Sequence, residues 1–323
     1  MQAKQVIQAK QAKQVIQAIQ VKQNSTTIQS NKIKAIPYGA IKEPAEDKRK
    51  IPPGMFNPHM TWMISGKTGS GKSTALIRML KAYCDSGVFQ KVVLISPTAA
   101  YDAKYKMLDL SAVHEDYSDE LLSDVMEEQK DDMEDYQQTA LDIKLYDKFM
   151  KHKHLTKTEL LRLYTMLNPL TEEFDKPVQQ FDKVPYMAVI LDDLGGTPAF
   201  RNGNNFLNSI VCKSRHYKTN FFVCVQHPYQ MPRALRSQCS HCMLFSTKDK
   251  KLLEELAKEN CSHLTPEEFQ RMFQHATKEP HDFMMCDFKR NEVRRNFDEV
   301  LHICAHSDKQ PPKSEPKDIS AKA

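Results

Sequence analysis

The chain has 323 residues, of which 40% are hydrophobic and 27% charged, and its formal net charge at pH 7 is +5. A chain of this length can bury one large core or two, and no apolar run approaches the roughly 18 residues that a membrane-spanning helix needs. Residues 1–42 hold seven lysines and no acid, so the remainder carries −2, which is +5 less those seven charges. This balance argues against a uniformly basic DNA-binding core, and any nucleic-acid contact there should be a local stripe.

The chain begins with a duplication. Residues 2–10 read QAKQVIQAK and are followed at once by QAKQVIQAI at 11–19. Low-complexity segments rich in Gln and Lys rarely bury a core. We therefore predict that residues 1–45 form a basic low-complexity arm, with a weakly amphipathic helix as the alternative. Residues 306–323 are predicted to be a disordered tail.

The most informative stretch lies at 61–80. A strand-like run, TWMIS, leads into GKTGSGKST, which satisfies the pattern G-x-x-x-x-G-K-[ST], and a helix-like apolar spacing follows. Such a loop surrounds phosphate with backbone N–H groups, and the helix dipole adds to the attraction. Lys72 is expected to reach the β- and γ-phosphates, and the Ser73 hydroxyl to ligate Mg²⁺. The predicted ATP-binding residues are Gly66, Lys67, Thr68, Gly69, Ser70, Gly71, Lys72, Ser73 and Thr74.

Short apolar runs alternate with helix-like segments along the rest of the chain. Because strands that are apolar on both faces are typical of a sheet covered by helices, we predict an α/β fold with a mostly parallel central sheet and helices on both faces. The ATPase domain is predicted to span 55–305. The runs are KVVLISPT (91–98), YMAVILDD (186–193), NFFVCVQ (220–226), HCMLFST (241–247) and HDFMMCDF (281–288).

Residues 100–183 are too long for one crossover and are predicted to be a helical insertion. Eleven acids fall between Glu115 and Asp135, and the basic segment YDKFMKHKHLTKTELLRLY follows at 146–164. The acidic part is most simply a solvated helix face. The basic part is either another solvated face or a lysine-rich DNA contact.

Paired acids end the run MAVILDDLGG. Asp192 is predicted to orient Mg²⁺ beside Ser73, and Asp193 to polarise the attacking water; an Asp-Asp turn that caps the next helix is the alternative. The strand-like run at 91–98 separates the loop strand from the acid strand, so another strand should lie between these two in the sheet. This order is typical of ATPases that hydrolyse through a carboxylate-activated water. No N-K-x-D guanine-reading motif is present, which favours ATP over GTP.

A polar residue also ends the strand NFFVCVQ. Gln226 is predicted to lie near the γ-phosphate, two strands from the loop, and to report hydrolysis to the next element. A neighbouring subunit would supply an arginine to neutralise transition-state charge. Arg215, Arg233 and Arg236 flank the strand, and of these we favour Arg215.

The eight cysteines are scattered, and several lie in apolar strand-like runs. Reduced, buried thiols in a cytosol-like compartment fit this pattern better than a disulfide framework. A zinc site is the less favoured alternative, because one of its candidate ligands opens a buried strand. Its candidate ligands are Cys239, His241, Cys242, Cys261 and His263.

Four segments together resemble the poxvirus-type virion DNA-packaging ATPases of the FtsK–HerA group, found in large eukaryotic DNA viruses, virophages and Polinton-like elements. They are GKTGSGKST, AVILDDLGG, SRHYKTNFFVCVQHPYQMPRALRSQ and HDFMMCDFKRNEVRRNF. The resemblance covers about 60–300 without the acidic insertion. It implies a RecA-like ASCE P-loop domain, with Lys72 and Ser73 as Walker A residues, Asp192 and Asp193 as Walker B acids, and Gln226 as sensor.

The same resemblance implies function and partners. It predicts a homo-oligomeric ring that hydrolyses Mg²⁺-ATP and moves double-stranded DNA into a preformed capsid, with a capsid protein as partner and no membrane. The expected location is the virion or the host cytoplasm. A cellular or plasmid DNA pump and a nucleotide-gated scaffold with little turnover are the alternatives.

Overall fold

In the computed structural model, a nine-stranded sheet runs through the described residues, which are 49–99, 103–201, 206–261 and 264–302. These residues belong to one compact unit, Asp47–Ala323, and the unit Met1–Glu46 lies outside them. The predicted N-terminal arm and C-terminal tail also lie outside. The strands are β1 (Thr61–Ser65), β2 (Lys91–Ile95), β3 (Ala112–His114), β4 (Met187–Asp192), β5 (Thr219–Val225), β6 (His241–Phe245), β7 (Phe283–Asp287), β8 (Glu292–Arg295) and β9 (Glu299–Leu301).

The strand order is β3-β2-β4-β5-β1-β6-β7-β8-β9. The six strands from β3 to β6 are parallel, and β7, β8 and β9 extend the sheet antiparallel. The predicted α/β class and mostly parallel sheet are confirmed. The strand at 283–287 is one of the three antiparallel strands. Two helices join β6 to β7, so the chain re-enters the sheet from the opposite end and runs antiparallel.

Helices cover both faces of the sheet. In β1, Trp62 and Ile64 join one buried cluster and Met63 joins the other, because successive side chains of a strand point to opposite faces. The first cluster packs against α1, and the second against α2, α4, α6 and α7. The helices are α1 (Lys72–Asp85), α2 (Asp119–Met150), α3 (Lys157–Tyr164), α4 (Phe206–Lys213), α5 (Arg233–Arg236), α6 (Lys250–Asn260) and α7 (Pro266–Ala276).

The predicted strand between the loop strand and the acid strand is present, and it is β5, the strand that precedes Gln226. β5 pairs with β1 on one side and β4 on the other. Gln226 therefore follows the strand next to the loop strand, and the predicted separation of two strands is wrong. Sequence order does not fix neighbours in a parallel sheet, because a crossover connection passes over the intervening strands.

The predicted helical insertion holds more than helices. Its first part contributes β3, which pairs in parallel with β2 at the edge of the sheet. The long helix α2 then begins at a Ser118 cap, whose side chain accepts a hydrogen bond from the N–H of Leu121. Its first turns pack on the sheet, and its outer turns and α3 form a separate hairpin. The insertion is therefore tied into the sheet at its base.

Candidate functional site

The glycine-rich segment connects β1 to α1 and lies against β5 and β6. The N–H of Gly66 donates to the carbonyl of Val225 at 3.2 Å, which ties the start of the loop to the neighbouring strand. A Cβ at Gly66 would lie 2.6 Å from the Cβ of Phe245, so no larger residue fits there. Gly71 has a φ of 104°, which other residues rarely adopt.

No side chain caps the first turn of α1, so its backbone N–H groups can bind an anion. Its cap, Gly71, has no side chain to accept the orphan N–H groups, and the first turn contains no acid. By contrast, Thr265 at the start of α7 accepts a hydrogen bond from the N–H of Glu268. Uncapped N–H groups and the positive end of the helix dipole together favour a phosphate at this point.

Lys72 lies across the loop. Its Nζ donates hydrogen bonds to the carbonyl oxygens of Gly66 and Lys67, the second at 3.2 Å. These are neutral acceptors, and a phosphate oxygen would be a stronger, charge-assisted acceptor for the same ammonium group. The ammonium group of Lys72 therefore lies against the loop backbone.

The paired acids lie at the carboxyl end of β4. Asp192 is buried, with 8% of its surface exposed, and its Oδ2 accepts a hydrogen bond from the hydroxyl of Tyr105 at 2.7 Å. Asp193 is exposed and has a φ of 56°, a left-handed conformation that Asp tolerates better than most residues. The two carboxylates therefore differ in surroundings, as their different predicted roles require.

Gln226 contacts the second acid. Its side-chain Nε2 donates to Oδ1 of Asp193 at 3.1 Å, which bridges the ends of β4 and β5. The Oε1 of Gln230 accepts hydrogen bonds from the N–H groups of Gln226 and His227, at 2.9 and 3.2 Å. A Cβ on Gly195 would lie 3.0 Å from Gln230, so the turns after both strands pack closely. The turns after β4 and β5 are therefore in direct contact.

A cleft of about 740 Å³ joins these groups. Residues 67–74 of the loop, both aspartates and Gln226 line it, and Gly66 lies beneath the loop outside the lining. This is the arrangement of a P-loop NTPase. The remaining wall, which the sequence did not predict, is formed by Ala75, Arg78, Thr98, Lys104, Cys224, Val225, Pro280, His281, Asp282, Phe283, Asn296 and Phe297.

Two of the unpredicted contacts support the P-loop and the acids directly. Nδ1 of His281 donates to the carbonyl of Ser70 at 3.2 Å, so the turn before β7 touches the P-loop. Tyr105 holds Asp192 from a 3-10 turn at Ala103–Met107. Neither residue was predicted as a site residue, although His281 opens the segment HDFMMCDFKRNEVRRNF, and both reach the site through contacts between segments distant in sequence.

The structure places Arg215 away from the cleft. It precedes the first residue of β5, whereas Gln226 follows the last, and a strand of seven residues spans about 20 Å. There Arg215 is exposed and lies in a cationic cluster with Arg49, Lys218 and Lys289 around His59. Burial, with Coulombic repulsion from these four cations, lowers the pKa of His59 to about 4.

The cluster predicts a pH-dependent stability. The pKa of His59 is about 4 in the folded chain and 6.5 in the unfolded chain, so between pH 4 and 6.5 the unfolded state binds more protons than the folded state. The free energy of unfolding should therefore fall as the pH drops below about 6.5. His59→Asn, which tolerates the φ of 72° at this position, should lose less stability than the wild type between pH 7.5 and 5. Urea unfolding of both proteins at each pH measures this, and equal losses would exclude His59 as the source.

The zinc alternative finds no support in the geometry of the described residues. His241 is buried, stacks on Trp62 at 4.6 Å between ring centroids, and contacts Ser240 Oγ at 2.8 Å and Asp287 at 3.7 Å. Cys239, Cys242 and Cys261 are buried free thiols. Within 49–302, apart from the gaps given above, no three His, Cys, Asp or Glu side chains could hold a metal ion, and His263 lies in one of those gaps.

Comparisons with known proteins bear on the fold. No protein-family model matches the sequence, and no curated protein matches it. The fold is similar to the genome-packaging NTPase B204 of Sulfolobus turreted icosahedral virus 2, at 12% identity and a TM-score of 0.44, over 75% of this chain and 98% of that one. It is also similar to B204, the DNA-packaging ATPase of Sulfolobus turreted icosahedral virus, at 11% identity, with the same TM-score and coverage.

A third similar structure is the type VII secretion ATPase EccC of Thermomonospora curvata, at 12% identity and a TM-score of 0.38, over 77% of this chain and 37% of that one. At these identities and TM-scores, function has to be argued from the residues of the site. No helix in the described part of the chain is long and apolar enough to cross a bilayer.

Proposed function

We propose that the protein is an ATP-hydrolysing motor that translocates double-stranded DNA into a viral capsid. The observation that carries the hydrolytic part of this proposal is the 3.1 Å hydrogen bond from Gln226 to Asp193, in the cleft that the P-loop lines. It joins the residue suited to activating water with a residue suited to sensing the γ-phosphate. A protein that only bound nucleotide would need neither group.

The phosphates bind on the P-loop and the open first turn of α1. Lys72 exchanges its two carbonyl acceptors for phosphate oxygens, and backbone N–H groups hold the remaining charge. The wall formed by 280–283 and 296–297 faces the P-loop across the cleft and takes the nucleoside end of ATP. His281 already contacts the P-loop from that wall.

The chain offers a suitable position for Mg²⁺. Asp192 is a buried carboxylate that lines the same cleft as Ser73, and hard oxygen ligands of this kind suit Mg²⁺. Mg²⁺ held there, with ATP, would neutralise phosphate charge. The hydroxyl of Tyr105 fixes the carboxylate of Asp192, so this side chain is oriented before any ligand arrives.

Hydrolysis then depends on Asp193 and Gln226. The carboxylate of Asp193 accepts a proton from the attacking water, and the amide of Gln226 orients that carboxylate and contacts the γ-phosphate. Loss of the phosphate frees the amide of Gln226. Through Gln230, the change reaches the turns after β4 and β5, which pack on each other.

The parts of the proposal that concern DNA and the capsid rest on the sequence resemblance. That resemblance covers the P-loop, the acids, the strand that ends before Gln226 and the β7–β8 segment. The proposed assembly is a homo-oligomeric ring in the virion or the host cytoplasm, with Arg215 of one subunit acting on ATP in the next. The distance between Arg215 and the P-loop of its own chain supports action between subunits.

The experiment is ATP turnover measured with and without long duplex DNA. We expect hydrolysis that is stimulated several-fold by duplexes of kilobase length and weakly by short oligonucleotides, because a translocating motor turns over for as long as it travels. Hydrolysis without DNA stimulation would favour a nucleotide-gated scaffold. DNA-stimulated hydrolysis by a protein that fails to package DNA into its capsid would favour a cellular or plasmid pump.

A further inference from the structure

The outer part of the insertion forms a projecting hairpin, which we call the arm (residues 133–175). Its base, the first turns of α2, is fixed to the sheet. Leu122, Val125 and Met126 are buried there, and Gln129 donates to the carbonyls of Pro185 and Tyr217, at 2.9 and 3.2 Å. From residue 133 to its end at Met150, α2 extends about 27 Å further, at 1.5 Å per residue.

The arm has its own stabilising contacts. Arg162 on α3 makes a two-fold ion pair with Asp142 on α2, and Lys148 pairs with Glu159 at 2.8 Å. Leu145 and Leu163 are buried between the helices. These contacts hold α3 against α2, so the arm presents a defined surface.

That surface is unusually apolar. Six of the eleven exposed large hydrophobic residues among the described residues lie on the arm, a seventh, Val178, follows it, and the rest are spread over four other segments. On α3, Leu161 and Tyr164 are 62% and 63% exposed and share one helix face at i, i+3 spacing. Exposed apolar groups concentrated in this way mark an interaction surface. The seven are Leu141, Met150, Leu160, Leu161, Tyr164, Leu170 and Val178.

The charges of the insertion are segregated. The tip of the arm, residues 148–158, holds four lysines and no acid, and Lys151, Lys153 and Lys157 are exposed. The base carries an exposed acidic stripe at spacings of three and four residues, where like charges destabilise a helix. The stripe consists of Glu120, Asp124, Glu127, Asp131 and Glu134.

Tip and stripe cannot neutralise each other within one chain. Asp131 and Lys151 are separated by about 30 Å of helix, which exceeds the Debye length of about 8 Å at physiological ionic strength. One basic residue beside the stripe on α2 pairs with it, namely Lys130, whose Nζ lies 3.6 Å from Oε1 of Glu134. The two surfaces thus have opposite charge and lie on separate parts of the chain.

We propose that the tip of the arm docks on the acidic stripe of a second copy of this chain. The basic tip and the acidic stripe have opposite charge and belong to the same chain, so a second copy of the chain is a suitable partner. Leu161 and Tyr164 are exposed and apolar, and a protein surface would cover them whereas DNA phosphates would not. Because the two surfaces differ, the contact is head-to-tail and repeats from copy to copy, which closes a ring or extends a filament. The contact uses no residue of the ATP cleft.

Self-association of the full chain tests the proposal. Sedimentation velocity, in 150 mM salt with Mg²⁺ and a non-hydrolysable ATP analogue but without DNA, should show concentration-dependent oligomers that weaken as salt rises. The tip variant, Lys151→Glu with Lys153→Glu and Lys157→Glu, should raise the dissociation constant at least about tenfold through like-charge contact. Leu161→Ser with Tyr164→Ser should also weaken assembly, with no change in charge.

The decisive step is a charge swap. The stripe variant, Asp124→Lys with Glu127→Lys and Asp131→Lys, should also weaken assembly, and the tip and stripe changes together should restore it to within about threefold of the wild type. The charge-matched control on α6, Lys250→Glu with Lys251→Glu and Lys258→Glu, should assemble normally. All of these side chains are exposed, so folding should not depend on them.

Other results would overturn the inference. A wild type that stays monomeric would remove the second copy as partner, as would a double variant that fails to recover. A tip variant that assembles normally and loses DNA affinity would instead make the tip a DNA contact. Turnover of ATP without DNA is measured in parallel, since its absence would count against the proposed function and leave the assembly result intact.

Discussion

Asp193→Asn should reduce the turnover of ATP by about 10²- to 10⁴-fold, the range typical for loss of a general base. The substitution keeps the shape of the side chain and its hydrogen bond to Gln226 but removes the carboxylate that accepts the proton. Asn also tolerates the left-handed φ of 56°, so the turn after β4 should keep its conformation. Affinity for ATP should change little, because Asp193 is not needed to hold the nucleotide.

Two variants serve as controls for this result. Asp116→Asn makes the same change at an exposed acid away from the cleft and should leave turnover unaltered. Lys72→Ala should weaken nucleotide binding itself, which separates loss of binding from loss of chemistry. The measurement is steady-state turnover together with equilibrium binding of a fluorescent ATP analogue. Unchanged turnover in Asp193→Asn would remove Asp193 as the base.

Features of the fold that depend on local sequence could be predicted. The strands at 61–65, 187–192 and 219–225 are buried along their whole length, as their apolar sequences predicted. The P-loop could be placed because its glycines, lysine and serine act within nine consecutive residues. The acids and Gln226 could be placed because each follows directly on such a strand.

Features that depend on distant contacts could not be predicted. The order of strands in the sheet is set by packing, which put β5 rather than another strand beside β1. Tyr105 reaches Asp192 across 87 positions, and His281 reaches Ser70 across 211. Tyr105 lies in none of the segments that carry the resemblance, and His281 lies in one of them but has no role that its pattern would reveal. β3 and β9 have only three residues each, too few for alternation to be recognised.

The contacts in the structure distinguish the three arginines that are candidates for acting on ATP in a neighbouring subunit. Arg236 is buried and pairs with Glu259 at 3.1 Å, and Arg233 pairs with the same carboxylate at 3.3 Å. Arg215 is exposed beside Lys218 and Lys289, in a cluster whose mutual repulsion an incoming anion would relieve. Burial, followed by Coulombic repulsion from Arg215, lowers the pKa of Lys289. These contacts favour Arg215 as the residue that acts on the phosphate of another subunit.

Arg215→Ala should therefore lower turnover by about 10³-fold or more, the range for loss of a trans-acting arginine, without weakening ATP binding to its own cleft. Mixing it with Lys72→Ala should restore activity, although each variant alone is nearly inactive. In a mixed ring, about a quarter of the junctions join an intact P-loop to an intact Arg215, so turnover should recover to about that fraction of the wild type. Arg233→Ala, which also removes an exposed arginine, should stay active by itself. If the two variants assemble together and remain inactive, Arg215 acts within its own chain or only structurally, and the cationic cluster at the start of β5 is not part of the hydrolytic site.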